Sequence, residues 1–505
     1  MDQALALEIM LSGENVLLTG PAGSGKTYVL GEFIKLARKS SKKVAVTATT
    51  GLAASHLGGT TIHAWSGLGI HDSLPPRFAE NLTQSRRDII TATDVLIIDE
   101  VSMLHDFRLD LVDQAVQAVR GNDRPFGGIQ VILCGDFFQL PPVNRAGSVQ
   151  GGFIFGSASW ISLAPVICYL QEQHRQNDET FLGILNAMRA GDVRRGHAEA
   201  LLARLDAHLS GPVTELHTTN ADVDWINQVQ LDGMEGESKT YVMMTTGKAN
   251  YVDSLRRSCL ALDELTVKLG ALVMCVKNHP QGKYMNGSLG TVVAWEDLTG
   301  YPVVRLRSGK QLTIIPETWE LRDGDKKRAS LTQVPLRLAW AITVHKSQGM
   351  TLDAARIDLR RAFTYGMGYV ALSRVRSLDT LSLVGINQLA LKVSPEALAI
   401  DGALREQVAR DALRFAPLAE LANSRADEVD KPETKAGHWT ERIQTMRQTY
   451  PNAFRPWPAE ADELLKARFE AGDGLATLAS LLGRQPGGVR ARIKKHFGDE
   501  VEIPD

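Results

Sequence analysis

Cysteine is scarce in this chain of 505 residues: the four present, Cys134, Cys168, Cys259 and Cys275, lie far apart. With no C-x-x-C pair and no histidine at metal-ligand spacing, neither a zinc site nor an iron–sulfur cluster is suggested, and the thiols read as reduced core residues. Charge of one sign is also missing. Lys and Arg number 56 against 58 Asp and Glu, a formal net charge of −2, so a polyanionic partner would need a local basic surface. No run approaches the roughly 18 uninterrupted apolar residues of a membrane-spanning helix. The opening segment MDQALALEIML is amphipathic and acidic rather than basic and then apolar, so no membrane or export targeting is expected. Internal repeats and low-complexity tracts are absent. What remains is 44% apolar and 23% charged, the balance of a globular protein with core enough for about three or four domains.

Against this unremarkable composition stands one dense local pattern, NVLLTGPAGSGKT at residues 15–27. The stretch Gly20, Pro21, Ala22, Gly23, Ser24, Gly25, Lys26 and Thr27 matches G-x-x-x-x-G-K-[ST], and Tyr28 follows it. Its glycines let backbone N–H groups converge on phosphate oxygens, Lys26 reaches the β- and γ-phosphates, and the Thr27 hydroxyl can ligate magnesium. Residues 16–19 read as a short strand and residues 26–38 as an amphipathic helix, the order such a loop needs. ATP and Mg²⁺ are therefore the expected cofactors.

A second apolar run, VLIIDE at 95–100, ends in two acids. Asp99 is placed to hold magnesium and Glu100 to polarise an attacking water. The next, LCGDFFQLPPV at 133–143, offers Gln139 as a sensor of the γ-phosphate and Asp136 to fix the loop, although its two prolines explain a rigid turn equally well. Hydrolysis also gains from a cation set against the transferring phosphoryl. Arg175 and Arg374 are candidates, and on residues alone a surface salt bridge accounts better for each.

Up to about residue 165, short β-branched runs at 16–18, 43–46, 95–98 and 129–133 alternate with helical patterns, the signature of a parallel sheet covered by helices. Residues 166–227 are mostly helical. From 267 to 318, Gly- and Asn-containing turns join short strands, as in a small inserted antiparallel barrel. The α/β pattern resumes at 336–344 and runs to 384. Residues 424–437 are polar and Pro-containing and mark a linker. Beyond it, residues 457–497 carry three short helical patterns separated by glycines, as in a helix-turn-helix unit.

GPAGSGKT, TATTGLAASHLGGTTIHAW, LIIDEVSML, GDFFQLPPV, YLQEQHRQNDETFLGILNAMRAG, PLRLAWAITVHKSQGMTLD and YVALSRVRSLDTLSL, in that order, resemble the motifs of the Pif (petite integration frequency) DNA helicases, relatives of RecD in superfamily one. The likeness covers roughly residues 1–390. It implies an α/β fold of two RecA-like parallel-sheet domains: 1–165 with the phosphate loop and a small wedge insertion near 67–85, and 166–400 with an SH3-like β-barrel insertion near 255–325. Residues 401–455 are then a helical segment and linker, and 456–505 a C-terminal helix-turn-helix-like domain. The resemblance turns Arg175 and Arg374 into fingers reaching the γ-phosphate, matches Gln3 to an adenine-reading glutamine, and puts the Gly349 backbone against the nucleotide.

Single-stranded and forked DNA are the partners the resemblance implies, with 5′ to 3′ travel and G-quadruplex or RNA–DNA structures as further substrates; a monomeric state is expected, and the reduced thiols and lack of a targeting segment point to a cytoplasmic location, at the nucleoid in a prokaryote. A strand gripped without sequence preference needs phosphate donors and stacking surfaces. Thr50, Gly51, His63 and Trp65 in the first domain and Thr218, Asn220, His345, Lys346 and Ser347 in the second supply such a set; His63 as a cap and Trp65 as core are the alternatives. The C-terminal segment LGRQPGGVRARIKKHFG has no acid. Its Arg484, Arg490, Arg492, Lys494 and Lys495 suit duplex DNA, or else form a solvated basic helix or a protein-docking face. A motor subunit of a nuclease complex and an ATP-gated DNA clamp are the rival functions.

Overall fold

The computed structural model describes residues 1–419 apart from 70, 145–148, 174, 177, 210–212, 278, 280, 285, 308, 324–325 and 412–413, and then 450–452, 459–497 and 501. The expected linker at 424–437, Trp457 and the Lys495 side chain lie outside the described residues. Two compact units divide the chain, Met1–Ala422 and Asn423–Asp505.

The first unit holds two parallel sheets. Six strands form the larger: β1 (Val16–Thr19), β2 (Val44–Ala48), β3 (Thr60–Thr61), β4 (Val95–Asp99), β5 (Gln130–Gly135) and β6 (Val166–Tyr169), in the order β3-β2-β4-β5-β1-β6. β1 and β4 are buried along their whole length, which is why they read as continuous apolar runs without alternation. Helix α1 (Gln3–Leu11) precedes β1, capped by Asp2, whose carboxylate accepts the Leu5 N–H at 2.8 Å. Helix α2 (Lys26–Lys39) follows it and buries Val29, Leu30, Phe33, Ile34 and Ala37, one face at helical spacing. Arg38 and Lys39 complement the dipole in its last turn.

Where a boundary was expected at residue 165, β6 pairs in parallel with β1 from Val166↔Val16 to Tyr169↔Thr19. An edge that completes the ladder of the phosphate-loop strand belongs to the first lobe, so the chain leaves that lobe after Tyr169. The second parallel sheet, of four strands, is built from Thr214–His217, Ala341–Thr343, Ala355–Leu359 and Leu381–Ile386. Between its first two strands the described residues form antiparallel sheet and two helices, Asn220–Asp232 and Ala249–Ser258. Leu272–Cys275, Leu289–Trp295, Pro302–Leu306, Gln311–Thr313 and Leu336–Leu338 form a five-stranded sheet. Val273, Val292, Val304 and Leu336 lie in the core beneath it, with Leu265 and Val267 of a neighbouring two-stranded sheet. A further three-stranded sheet, Met244–Gly247 with Glu317–Asp323 and Lys326–Gln333, makes this insertion begin earlier and end later than the barrel pattern at 267–318. In the region expected to form a wedge, the short helix Phe78–Asn81 anchors itself by burying Phe78.

Among its described residues the second unit carries three helices, Ala459–Glu470, Leu475–Leu482 and Pro486–Phe497, around Leu465, Leu478, Leu482, Val489 and Ile493. Gly483, at φ +57°, makes the left-handed turn between the last two. Asn452 supports it, donating to the Leu482 carbonyl at 2.9 Å.

Candidate active site

Ligands of open parallel sheets gather at the carboxyl ends of the strands. Here β1, β5 and β4 lie side by side, so the phosphate loop, Asp136 and the pair Asp99–Glu100 emerge at one edge. A cleft of about 810 Å³ opens there, and its walls come from both sheets and from the inserted barrel. Gly23, Gly25, Lys26, Thr27, Glu100 and Gln139 line one side; Arg175, Gly349, Arg374 and Arg376 line another.

Close approach explains the glycines of the loop. A Cβ on Gly25, at φ +84°, would stand 2.2 Å from Gln3 Nε2, and one on Gly23 would stand 2.6 Å from Arg175 Cβ. Gln3 itself donates to the Ser24 carbonyl at 3.0 Å, so it is tied to the loop. Lys26 Nζ donates to the carbonyls of Gly20 and Pro21 at 2.8 and 2.9 Å. Burial lowers the Lys26 ammonium below its ordinary value, against the pull of Asp136. Pro21, Ala22 and Ser24 are buried within the loop, whereas Thr27 and Tyr28 are exposed beside it.

Glu100 occupies a left-handed backbone position, φ +52°, directly after β4. Burial, with Asp99 beside it, pushes its carboxyl up to about 7, against Lys26 and Arg374. A carboxylate that holds its proton so readily is suited to take one from water. Gln348 of the second lobe donates to Glu100 Oε2 at 2.9 Å and to Gln139 Oε1 at 3.3 Å, and Gln139 donates to Asp136 Oδ2 at 3.2 Å. This chain of amides ties Glu100 of one lobe to the other.

Arg374 is 1% exposed, and its donors go to carbonyls of its own lobe: Nε to Val370 at 2.7 Å, Nη1 to Ser347 and Met350 at 3.3 and 3.2 Å. Burial, then the neighbouring Arg175, brings its guanidinium down to about 9. Arg175 donates to the Ser373 carbonyl at 3.0 Å. Neither arginine is the surface salt bridge that residues alone favoured.

Three contributors carried no warning in the sequence. Arg189 is buried and bonds Asp136 at 2.6 Å and the Tyr169 hydroxyl at 2.9 Å. Burial opposes its charge, but Asp136 more than offsets this and holds the guanidinium above its ordinary value. Burial likewise works against the Asp136 carboxylate, and Arg189 and Lys26 outweigh it. Tyr369 accepts the Ala22 N–H of the phosphate loop at 3.0 Å. Gln348 is the third.

The residues expected to contact DNA fall into three groups. On the first lobe, Thr50 Oγ1 accepts the Ala53 N–H at 3.2 Å and so caps the short helix Gly51–His56. His63 is half-buried, and burial lowers its imidazole to about 4. Trp65 is 3% exposed and packs in the main core, so it offers no stacking face; its indole is consumed by the apolar interior. On the second lobe a pocket of about 420 Å³ is lined by Thr218, Asn220, His345 and Lys346, with Lys346 Nζ on Asn220 Oδ1 at 2.9 Å. Ser347 is fully buried and donates to the Val344 carbonyl at 2.8 Å, so its hydroxyl does not face that pocket. Phe363, unmarked in the sequence, is 61% exposed and stacks on His345 at 6.1 Å between ring centroids. In the C-terminal unit Arg484 is buried and Arg492 pairs with Asp462, Nε to Oδ1 at 2.7 Å, while Arg490 and Lys494 are exposed. Burial of Arg484 and the ion pair of Arg492 leave Arg490 and Lys494 as the exposed members of the expected basic set among the described side chains.

Residues 1–198 match the family described as PIF1-like helicase. A protein of Psychrobacter sp. named ATP-dependent DNA helicase Pif1 is 42% identical over 470 residues, covering 80% of this chain and 71% of its own. The Xenopus laevis protein of that name is 37% identical over 403 residues, covering 79% of this chain, which spans 63% of the relative's length. Among solved structures, a Bacteroides Pif1 helicase in complex with ADP-AlF3 and ssDNA superposes with a TM-score of 0.62 at 31% identity, over 80% of this chain and 97% of that one.

Proposed function

The chain belongs to the PIF1-like helicases, and from that premise we propose that it is an ATP-dependent DNA helicase, a motor that spends ATP in the interlobe cleft to travel along single-stranded DNA. The observation that carries the reading is the convergence in one cleft of Lys26, Glu100 and Gln139 from the first lobe with Arg374 and Gly349 from the second. A site assembled from two bodies works only when they close, so binding and release of nucleotide become relative motion.

Within the cleft, loop N–H groups and Lys26 take the phosphates, Glu100 receives a proton from the attacking water, and Gln139 and Gln348 hold that acid in place. The Thr27 hydroxyl and the Asp99 carboxylate are hard oxygen donors of the kind magnesium takes alongside phosphate oxygens and water. Once bound, that ion neutralises phosphate charge. Arg374, with Arg175 beside it, supplies positive charge to the transferring phosphoryl. A DNA path over the first-lobe residues Thr50, Gly51 and His63 and the second-lobe pocket then lets the lobes grip alternately.

We further assign 5′ to 3′ travel, forked or tailed duplexes with G-quadruplex or RNA–DNA structures as substrates, a monomeric working state in the cytoplasm, and duplex contact through Arg490 and Lys494. The test is strand release from matched duplexes with a 5′ or a 3′ single-stranded tail. Release of the 5′-tailed substrate alone is expected. Release of the 3′-tailed one reverses the polarity, and stimulated ATP turnover without any release makes the chain a clamp.

A further inference from the structure

We propose that the Tyr369 hydroxyl is a positioning group for hydrolysis, a pin that sets the distance between Arg374 and the phosphate loop. Tyr369 is 1% exposed and lies on the helix Met367–Leu372. Its oxygen accepts two hydrogen bonds, from Ala22 N–H at 3.0 Å and from Arg189 Nη1 at 3.2 Å. Arg189 is immobilised in turn by Asp136, by the Tyr169 hydroxyl and by the Phe138 ring, 4.2 Å beneath its guanidinium. The phenol oxygen is thus held against the phosphate loop by a backbone donor and by a cation anchored to the loop after β5.

On its other side Tyr369 is continuous with Arg374. Arg374 Nε binds the carbonyl of Val370, the residue after Tyr369, at 2.7 Å, and Nη2 binds Ser373 Oγ at 2.7 Å. With Ser347 and Met350 taking Nη1, every hydrogen bond described for the guanidinium stays within its own lobe. These bonds fix where the charge sits relative to the second sheet and leave open where it sits relative to the phosphates. A cation acting on a transition state must be placed to within about half an ångström of its productive position. The bond from Tyr369 to Ala22 fixes that remaining coordinate, because helix, phenol and guanidinium move together. A purely structural role, in which Tyr369 only satisfies a buried N–H, is the alternative.

This inference rests on Arg374 serving the transition state, and the experiment separates the two ideas. Tyr369→Phe deletes one oxygen and keeps the ring. Steady-state ATP hydrolysis at saturating single-stranded DNA should show kcat lower by about tenfold, the worth of one such hydrogen bond, with KM for ATP and DNA affinity within about twofold. Introduced into Arg374→Ala, the same change should cost nothing further, since the pin has no finger left to place. Equal fractional losses in both backgrounds overturn the proposal, as does a lowered melting temperature with kcat intact. Should Arg374→Ala alone leave turnover unchanged, the finger assignment itself fails and this inference falls with it.

Discussion

Arg374 is expensive to bury, and that cost makes a sharp prediction. Burial and Arg175 bring its guanidinium down to about 9, so the folded chain holds this charge against a gradient. Replacing Arg374 with Ala removes the disfavoured charge. It also removes hydrogen bonds to the carbonyls of Val370, Ser347 and Met350. Two of these acceptors stay satisfied: Val370 O still receives Ser373 Oγ at 2.9 Å, and Ser347 O still receives Met350 N–H at 3.0 Å. One carbonyl loses its described partner, at a cost of about 1–3 kcal/mol, and relief from the buried charge opposes it. Stability should therefore change little, by no more than about 4 °C in melting temperature. Turnover should collapse, because a finger arginine is worth about 10³–10⁵ in kcat. The assay is ATP hydrolysis at saturating DNA beside fluorescence-anisotropy binding of an oligonucleotide. If affinity falls and turnover does not, Arg374 belongs to the DNA groove; if the variant unfolds, the charge was structural.

Lys26→Ala should abolish ATP turnover while leaving melting unchanged within a few degrees, and hydrolysis that persists would refute the phosphate-loop assignment. Phe363→Ala should weaken single-strand affinity by about 5- to 150-fold, the value of one base stacked on an aromatic ring, with KM for ATP unchanged when DNA saturates; equal affinity would remove the second-lobe pocket from the DNA path. His63 gives a pH test. Its imidazole sits near 4 when folded against an ordinary 6.5, so between those values the unfolded chain binds more protons and stability declines as pH falls, by at most about 3 kcal/mol. His63→Gln should flatten that share of the decline, and an identical acid profile in urea titrations would show that His63 is not the group responsible.

What could be read in advance was what is local in the chain. A phosphate loop is eight consecutive residues whose glycines have a steric cause, and the strands beside it are uninterrupted apolar runs because parallel strands are covered on both faces. The C-terminal helices were legible because glycines punctuate them. Pairings across long separations were not. Gln348 meets Glu100 over 248 residues, and Tyr369 meets Ala22 over 347. No periodicity signals either contact, and both exist only once two sheets face each other. Arg189 lay inside the quoted segment YLQEQHRQNDETFLGILNAMRAG, yet an arginine at the end of an amphipathic helix reads as solvated until Asp136 is found against it. Trp65 shows the converse error of stacking logic. An aromatic residue among polar neighbours suggests a platform for bases, whereas the core beneath β2 and β4 takes the whole indole. The same limit applied to the basic tail helix, where Asp462, 30 residues before Arg492, decides which arginine is spent internally.

In the proposed motor, chemistry in the nucleotide cleft waits for a second lobe positioned by DNA. Its most direct measurement is the rate of ATP hydrolysis by the purified chain as single-stranded oligonucleotide is titrated in. A saturable rise of at least about tenfold is predicted, lost in Lys26→Ala. A rate that is high and unchanged from zero to saturating DNA would contradict the coupling on which every later step depends.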